Sequence, residues 1–413
     1  MLSPSTLTYN LLHQSPQMTV EAKSLVEKFF TKNSGVKFVR LQWVDFSGAL
    51  LTRFITKIRC MHLAMGTNHY SLAQNCMIVP ISSAPQCFYD GPKAWELCPD
   101  WQTVKVCGFA PEHASVMCFN SHLGSADHSA RCPRKLLSKV LNDFKDEYES
   151  NLLMVFEIEF VLLDESSNLA KSMDRLTGYS MTAGLRAENL TIMEEIVAAL
   201  EVSGIKIYHF LTEVADQLEI ALSPLPPMQA IDALMLAQET IRTICIRHKL
   251  RATMTPKPCF NGPQNGCHVH LSLNPATQPS SFLAGILQKL KPLCAFGMPN
   301  FDSYYRVVGD GSGMWIGWGT ENRDLPIRQI SPNRWEIRCL DATANMYLFT
   351  AATLSAGIAG IKQTLPLNIR DCPVLPSEYT TKEAAERLGK YGITEPVPSK
   401  LELSLESAKC DKE

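Results

Sequence analysis

The stretch Leu152-Leu-Met-Val-Phe-Glu-Ile-Glu-Phe-Val-Leu-Leu163 decides the interpretation of this chain, because two carboxylates interrupt a long apolar run. A continuous apolar run of this kind is typical of a strand that is buried on both faces. Side chains two positions apart on a strand point to the same face, so Glu157 and Glu159 enter one space. Two carboxylates in a low-dielectric site resist ionisation, whereas a bound cation removes their repulsion. The stretch therefore predicts a buried strand and a divalent metal site.

The composition of the 413-residue chain is that of an ordinary soluble globular protein, with 46% hydrophobic and 19% charged residues. A formal net charge of -2 and the lack of a long Lys/Arg block argue against a nucleic-acid partner. The 14 cysteines form no C-x-x-C pair, which favours reduced thiols and a cytoplasmic protein. Residues 1–17 lack the pattern of a signal peptide, and the apolar segment 346–361 is too short to span a bilayer. We therefore expect no membrane association.

The first part of the chain predicts a small sheet domain with one helix. Amphipathic periodicity predicts the helix at 19–32, with Thr19 as its N-cap. Alternating segments predict a hairpin around Phe46-Ser47-Gly48. The predicted strands lie at 36–45, 49–55, 102–108 and 114–119, and a polar linker follows at 124–128.

The second part predicts an α+β domain whose strands repeatedly place charged side chains in apolar surroundings. Its predicted helices lie at 133–148, 188–202, 228–248 and 345–362. Its predicted strands lie at 152–163, 205–210, 217–223, 266–273 and 335–340. No internal repeat at a solenoid period is visible.

Charged residues in or beside these strands form a set that needs one explanation. The set contains Glu213, Glu219, His268, His270, Glu336, Arg338, Arg323, Arg328 and Arg306. Each pattern alone is more often a solvated face, a core histidine pair or an ion pair that contributes little. Together, carboxylates with one or two imidazoles suit Mg2+ or Mn2+, and arginines suit a substrate carboxylate and polyphosphate. This combination is typical of phosphoryl transfer. The chain has no G-x-x-x-x-G-K-[ST] loop, so this is not a Walker-type nucleotide site.

At this point the chain resembles the glutamine synthetase family in both the order and the spacing of its motifs, over roughly residues 20–365. The matching segments are Phe156-Glu-Ile-Glu-Phe160, Glu213-Val-Ala with Gln217-Leu-Glu-Ile220, Met254-Thr-Pro-Lys-Pro258, Asn265-Gly-Cys-His-Val-His-Leu-Ser-Leu273, Asn322-Arg323 with Ile327-Arg328, and Arg334-Trp-Glu-Ile-Arg338 continuing to Asp341-Ala-Thr-Ala-Asn345.

The resemblance implies an α+β fold in two domains. A small β-grasp-like domain would occupy 18–125, and a larger glutamine synthetase/guanido-kinase-like catalytic domain with an antiparallel sheet would occupy 126–413. It also implies an ATP-dependent amide ligase that activates the carboxylate of glutamate or a related acid as an acyl phosphate and condenses it with an amine. The family builds a homo-oligomeric ring with active sites between neighbouring subunits, so we expect the same here.

The resemblance assigns roles to individual positions, with ATP and two or three Mg2+ or Mn2+ as cofactors. One ion would be bound by Glu157, His268 and Glu336, and another by Glu159, Glu213 and Glu219. Arg306 and Arg338 would hold the acid substrate, with Gln264 beside it. Arg323, Arg328 and Arg334 would face the ATP phosphates, and His270 and Ser272 would lie near the nucleotide. Arg323 and Arg338 are the predicted catalytic residues.

Departures from the family pattern concern the amine and the acid substrate. The family's ammonium-binding Asp is missing from the stretch around 68–74, and a companion Asp is missing near Ala94. The family's flap glutamate falls near Ser312. Pro263-Gln264 stands where the family has an Asn-Gly pair at the α-amino end of glutamate, which leaves the acid substrate open as well. An ammonium site needs negative, proton-accepting groups, so the loss of the three acids argues for another amine.

Three other hypotheses remain open. The chain could be a true glutamine synthetase whose ammonium site is built differently. It could be a catalytically silent member that acts as a regulator or assembly partner. It could also be a metal-dependent hydrolase that uses His268-x-His270, although this hypothesis leaves the glutamates unexplained.

Overall fold

A computed structural model describes residues 16–68, 70–73, 77, 94–122, 132–171, 178–186, 188–214, 216–308 and 311–411. The chain forms two compact units, Met1–Glu147 and Tyr148–Glu413, and the fold is mixed α+β as predicted. The predicted linker at 124–128 and the domain boundary at 125 lie outside the described residues, so the boundary stays a prediction.

The first unit is a mixed sheet with three described helices. Its elements are α1 (Pro16–Lys32), β1 (Phe38–Val44), β2 (Leu50–Thr56), α2 (Lys57–Ala64), β3 (Ser71–Ala73), β4 (Ala94–Pro99), β5 (Lys105–Val106), β6 (His113–His122) and α3 (Pro133–Glu147). The strand order is β2-β1-β6-β4-β3, with β5 beside β6 and a parallel β1–β6 pair. Val26 and Phe30 of α1 belong to the same buried apolar cluster as Leu41, Leu97 and Val116 of the sheet.

The β1–β2 hairpin is confirmed, whereas the strand predicted at 102–108 is wrong for most of its length. Asp45 closes the hairpin turn by accepting a hydrogen bond from the Ala49 amide at 3.0 Å. Residues 101–103 form a short 3-10 turn instead of a strand. The Thr103 hydroxyl donates to the Asp100 carbonyl and accepts from the Met117 amide, so a side chain replaces part of the strand ladder. Helix α2, which the sequence analysis did not predict, is capped by the Thr56 hydroxyl.

The second unit is built around a large sheet. Its strands are β7 (Asn151–Leu163), β8 (Ile207–Thr212), β9 (Gln217–Leu222), β10 (Arg251–Thr253), β11 (Val269–Asn274), β12 (Trp318–Thr320), β13 (Ile327–Ser331) and β14 (Arg334–Ile337). Its helices are α4 (Glu188–Val202), α5 (Pro227–Arg247), α6 (Pro279–Gln288), α7 (Leu290–Gly297), α8 (Tyr305–Val308), α9 (Met346–Lys362), α10 (Thr381–Gly389) and α11 (Leu401–Cys410).

The sheet of the second unit is largely antiparallel, as predicted. Its order is β12-β13-β14-β11-β7-β9-β8, with β10 also paired to β7, and the β12–β13 pair is parallel. One face is apolar: Phe156, Ile158 and Phe160 of β7 have no exposed surface. Helix α5 packs against β7 and α9 packs against α5. Among the described helices, none is long and apolar enough to cross a membrane.

Candidate active site

The charged residues of the second unit gather on the face of the sheet opposite the apolar core. Residues directly opposite each other on paired strands share a face. Glu159 lies opposite Glu219 across β7 and β9. Glu336 of β14 lies opposite His270 of β11 on one side and Arg328 of β13 on the other. Five adjacent strands therefore contribute to one polar surface.

His268 and three carboxylates form the centre of this surface. The His268 Nδ1 atom lies 3.5 Å from Glu157 Oε2, 3.5 Å from Glu159 Oε1 and 3.4 Å from Glu336 Oε1. These contacts show Glu157 and Glu159 on the same side of β7, as the two-residue spacing predicts. Mg2+ and Mn2+ prefer donor sets that are rich in oxygen, and an imidazole can complete such a set. These residues therefore fit the implied metal.

His270 also belongs to this cluster. Its Nε2 atom lies 2.9 Å from Glu157 Oε1, and ligand atoms of Glu157, His270 and Glu336 lie within 4.8 Å of one another. The sequence analysis placed His270 near the nucleotide, a role that stays a prediction. The structure adds a contact with a carboxylate that the resemblance did not imply.

The titration behaviour of the carboxylates reflects crowded negative charge. Burial, followed by the charges of Glu157 and Glu159, raises the pKa of Glu219 to about 9. Burial and the charge of Glu159 raise the pKa of Glu213 to about 7, although Arg323 opposes the increase. A cation would relieve both carboxylates, because it favours their ionised forms.

Two carboxylates of the cluster behave in the opposite way. For Glu336, burial raises the pKa, but the positive charges of Arg338 and His268 outweigh burial and lower the pKa to about 2. For Glu157, burial again raises the pKa, and hydrogen bonds with His268 and His270 hold the pKa well below its ordinary range. These carboxylates are therefore ionised and available as metal ligands.

Glu159 is held in place by a polar network that the sequence analysis did not assign to the site. Gln217 Nε2 donates to Glu159 Oε2 at 2.8 Å and to Asn265 Oδ1 at 2.9 Å. The Gly266 amide donates to the same Glu159 oxygen at 2.6 Å. The signal for Gln217 was a polar residue at the start of an apolar strand, where it is 2% exposed.

The close approach around Gly266 explains why a glycine stands there. A Cβ atom at this position would lie 2.6 Å from His268 Nε2 and 2.7 Å from Arg306 Nη2. Any other residue would displace at least one of these two site residues. Gly266 therefore allows the backbone to pass close to the side chains of His268 and Arg306.

His209 is another residue that the sequence analysis missed. From β8, its Nε2 atom lies 3.4 Å from Glu219 Oε1. The face that His209 shares with Glu219 depends on the pairing of β8 with β9, which the sequence does not specify, and no motif singled His209 out.

The arginines approach the cluster from different directions. Arg338 donates to Glu336 Oε1, and Arg328 Nη1 donates to Glu336 Oε2 at 2.9 Å. Arg334 Nη2 lies 3.3 Å from His270 Nδ1. Arg323 is exposed and acts on the site through its charge at Glu213.

Arg306 is the most buried of the arginines, with 1% exposure. Its guanidinium donates to the carbonyls of Leu340, Gly311 and Arg338 and lies 3.2 Å from His268 Nε2. Burial lowers its pKa, although the charge of Glu159 opposes this effect. The predicted role of Arg306 in substrate binding stays a prediction.

Two uncharged side chains at the edge of the site have unsatisfied polar atoms. Among the described residues, Gln264 Oε1 and Ser312 Oγ are both buried and lack a hydrogen-bond partner. Gly311 lies against the Gln264 carbonyl, since a Cβ atom there would be 2.9 Å from Oε1. Ser272 lies apart from this edge, with its hydroxyl 3.5 Å from the Leu153 carbonyl.

A sheet face with clustered carboxylates, imidazoles and arginines has the groups that could hold a divalent metal and anionic ligands. A family model described as glutamine synthetase, catalytic domain, matches residues 130–413. The chain therefore belongs to the glutamine synthetase family. Membership in this family implies a ligase that uses ATP and divalent metal.

The chain is similar in sequence to two named proteins and in fold to a solved structure. Protein fluG of Emericella nidulans is 35% identical over 416 residues, which cover 95% of this chain and 46% of fluG, so the chain spans about half the length of that relative. Gamma-glutamylpolyamine synthetase GlnA3 of Streptomyces coelicolor is 26% identical over 267 residues, or 59% of this chain and 57% of GlnA3. A solved GmaS/ADP complex shares the fold, with a TM-score of 0.81 at 20% identity over 94% of this chain and 90% of that chain.

Proposed function

We propose that the chain is an ATP-dependent ligase that joins glutamate or a related acid to an amine other than ammonium. The observation that carries this proposal is the convergence of Glu157, Glu159, His268 and Glu336 next to Arg328 and Arg338. Carboxylates and imidazoles can hold cations, and the neighbouring guanidinium groups can hold phosphate or carboxylate.

The two predicted ion sites remain part of the proposal. Glu157, His268 and Glu336 would hold one ion, with His270 close by, and Glu159, Glu213 and Glu219 would hold another. The bound ions would neutralise the phosphate oxygens of ATP. Arg323, Arg328 and Arg334 would face those phosphates, and Arg306 and Arg338 would bind the acid, with Arg323 and Arg338 stabilising the charge that develops.

The chemistry needs an activated acid because a carboxylate is a poor electrophile. A carboxylate oxygen of the acid attacks the γ-phosphorus, and the bond from that phosphorus to ADP breaks. The amine nitrogen then attacks the carbonyl carbon of the acyl phosphate and gives up one proton. The bond from that carbon to the phosphate oxygen breaks, and phosphate leaves with the electron pair. The GmaS/ADP complex supports nucleotide binding by this fold, and the name of GlnA3 supports amine substrates larger than ammonium within the family.

The uncharged edge of the site supports an amine other than ammonium. Ser312 stands near the position of the family's flap glutamate, and Gln264 presents only an amide. A hydroxyl and an amide accept hydrogen bonds from N–H groups but attract a small cation less than a carboxylate does. The missing acids around 68–74 and near Ala94 remain observations on the sequence.

An assay of the purified protein tests the proposal. The protein is incubated with ATP, Mg2+, glutamate and a panel of amines that includes ammonium, while phosphate release and adduct mass are recorded. We expect an amide adduct with an amine other than ammonium. Ammonium as the best amine would favour a true glutamine synthetase. If the protein neither turned over substrate nor bound nucleotide, the catalytically silent hypothesis would be favoured.

Ser312 offers a matched pair of variants for the amine preference. Ser312→Glu restores a carboxylate. The ratio of kcat/KM with ammonium to kcat/KM with other amines should increase by roughly 10-fold or more. Ser312→Gln has the same length without the charge and should not change the ratio. Equal ratios in both variants would remove Ser312 from the account of amine choice.

The resemblance also supports a cytoplasmic homo-oligomeric ring with active sites between subunits. Light scattering of the purified protein tests the assembly, since a ring requires a mass several times that of the 46.0 kDa chain. A stable monomer that turns over substrate would contradict the ring.

A further inference from the structure

Glu321 lies at the rim of the site and accepts hydrogen bonds from one edge of the Arg328 guanidinium. Arg328 Nε donates to Glu321 Oε2 at 2.9 Å, and Arg328 Nη2 donates to the same oxygen. The remaining nitrogen, Nη1, donates to Glu336 Oε2 at 2.9 Å inside the cluster. The Glu321 side chain is 54% exposed, whereas Arg328 is 14% exposed and Glu336 is fully buried. Arg328 therefore connects an outer carboxylate to an inner one.

The backbone around Glu321 is held in an uncommon conformation. Glu321 has a φ of 55°, in the left-handed region that non-glycine residues rarely adopt. Such a conformation persists where the surrounding structure fixes it, and it is often found near functional sites.

A distant segment of the same unit fixes this turn. The Thr320 amide and hydroxyl both donate to Asp371, at 2.7 Å each. Asn322, which is 3% exposed, donates to the carbonyls of Cys372 and Val374 at 2.8 Å each. The residues on both sides of Glu321 are thus anchored, so its carboxylate is presented to Arg328 by a rigid turn.

We propose that Glu321 is a positioning residue that holds the Nε–Nη2 edge of Arg328, so that only Nη1 reaches the cluster and the guanidinium stays available to the phosphate of a bound nucleotide. The planar guanidinium has a fixed fork of donors, so a carboxylate on one edge orients the opposite edge. Without Glu321, Arg328 is free to turn a second nitrogen to Glu336 in addition to Nη1. Arg328 then competes with the cation for that carboxylate instead of contacting phosphate. This inference rests on the proposed function for the identity of the ligand.

The test measures binding of Mn2+·ADP by calorimetry, which does not require turnover. Glu321→Gln keeps the shape of the side chain and removes its charge, and we expect the dissociation constant to rise roughly 5- to 10-fold. Glu321→Asn should show the same loss with an undiminished Tm, because Asn accepts the left-handed conformation more readily than Glu. Glu378→Gln, which removes another exposed negative charge, is the matched control and should bind like wild type.

A double-mutant cycle shows whether Glu321 acts through Arg328. In an Arg328→Met background, Glu321→Gln should cause no further loss of affinity, because its effect requires the guanidinium. A full loss in that background, or unchanged binding in Glu321→Gln alone, would overturn the inference. Wild-type binding of Mn2+·ADP without turnover of any acid and amine would instead contradict the proposed function and leave the positioning role intact.

Discussion

Replacing Glu219 by Gln should stabilise the metal-free protein at alkaline pH and reduce the stabilisation that divalent metal provides. Glu219 is 6% exposed and lies opposite Glu159 across two strands. Burial and the charges of Glu157 and Glu159 raise its pKa from 4.5 to about 9. Gln has nearly the same shape as protonated Glu, so the variant preserves packing and removes the ionisation.

The sign of the effect follows from proton linkage. Because the folded protein binds this proton more tightly than the unfolded chain, the stability of the metal-free protein falls as pH rises from 4.5 towards about 9. The complete change in pKa corresponds to a ceiling of about 6 kcal/mol in the free energy of unfolding, at about 1.4 kcal/mol per pH unit. The observed loss should be smaller than this ceiling, since neighbouring carboxylates share the titration.

Urea unfolding across this pH range, with EDTA and with Mg2+, measures the effect. We expect wild type in EDTA to lose stability with rising pH and to recover it with Mg2+, while Glu219→Gln shows a flatter profile and a smaller gain from metal. Glu165→Gln, which changes an exposed carboxylate just beyond β7, is the control and should follow wild type. Identical profiles for wild type and Glu219→Gln would refute the reasoning.

Three further substitutions test separate parts of the structure. Gly266→Ala should lower metal affinity roughly 10- to 100-fold in a titration with Mn2+, because the added Cβ atom displaces His268 or Arg306. A variant with wild-type affinity would contradict this packing. Arg306→Lys should lower the free energy of unfolding by about 2–4 kcal/mol in urea, because Lys cannot replace its bonds to three carbonyls; a change within error would be inconsistent with those bonds. In the first unit, Asp100→Asn breaks a buried 2.8 Å pair with Arg134 and should cost about 3–5 kcal/mol by the same method, a cost that a solvated pair would not show.

The strands and helices with strong periodicity could be predicted from the sequence. Helix α4 has the predicted bounds, the observed β7 begins one residue earlier than predicted, and the observed α5 is shifted by one residue at both ends. The apolar run of β7 and the spacing of its two glutamates are local features, so local rules suffice. The Thr380/Glu383 capping box of α10 was an equally local signature that the sequence analysis did not use.

Features that depend on tertiary contacts could not be predicted in the same way. Strand β11 begins at Val269 and not at Gly266, because the Gly266 amide bonds to the Glu159 carboxylate instead of a neighbouring strand. The predicted strand at 335–340 ends at Ile337, where Arg338 turns its side chain to Glu336.

The supporting residues of the site were also beyond sequence reasoning. Asp371 and Cys372 anchor the turn at Glu321 from about fifty residues away, as the contacts of Thr320 and Asn322 show. No pattern in a single sequence specifies such a pairing. The charged residues within strands, such as Glu157, Glu159 and Glu219, could be singled out from the sequence, because each is out of place in an apolar strand.

Crystals grown with Mn2+ and ADP would reveal whether the clustered carboxylates and histidines bind metal, because Mn2+ scatters anomalously. The account predicts anomalous peaks within coordination distance of Glu157, Glu336 and at least one of His268 and His270, and of Glu159 with Glu219. A well-ordered nucleotide with no anomalous peak among these side chains would contradict the account.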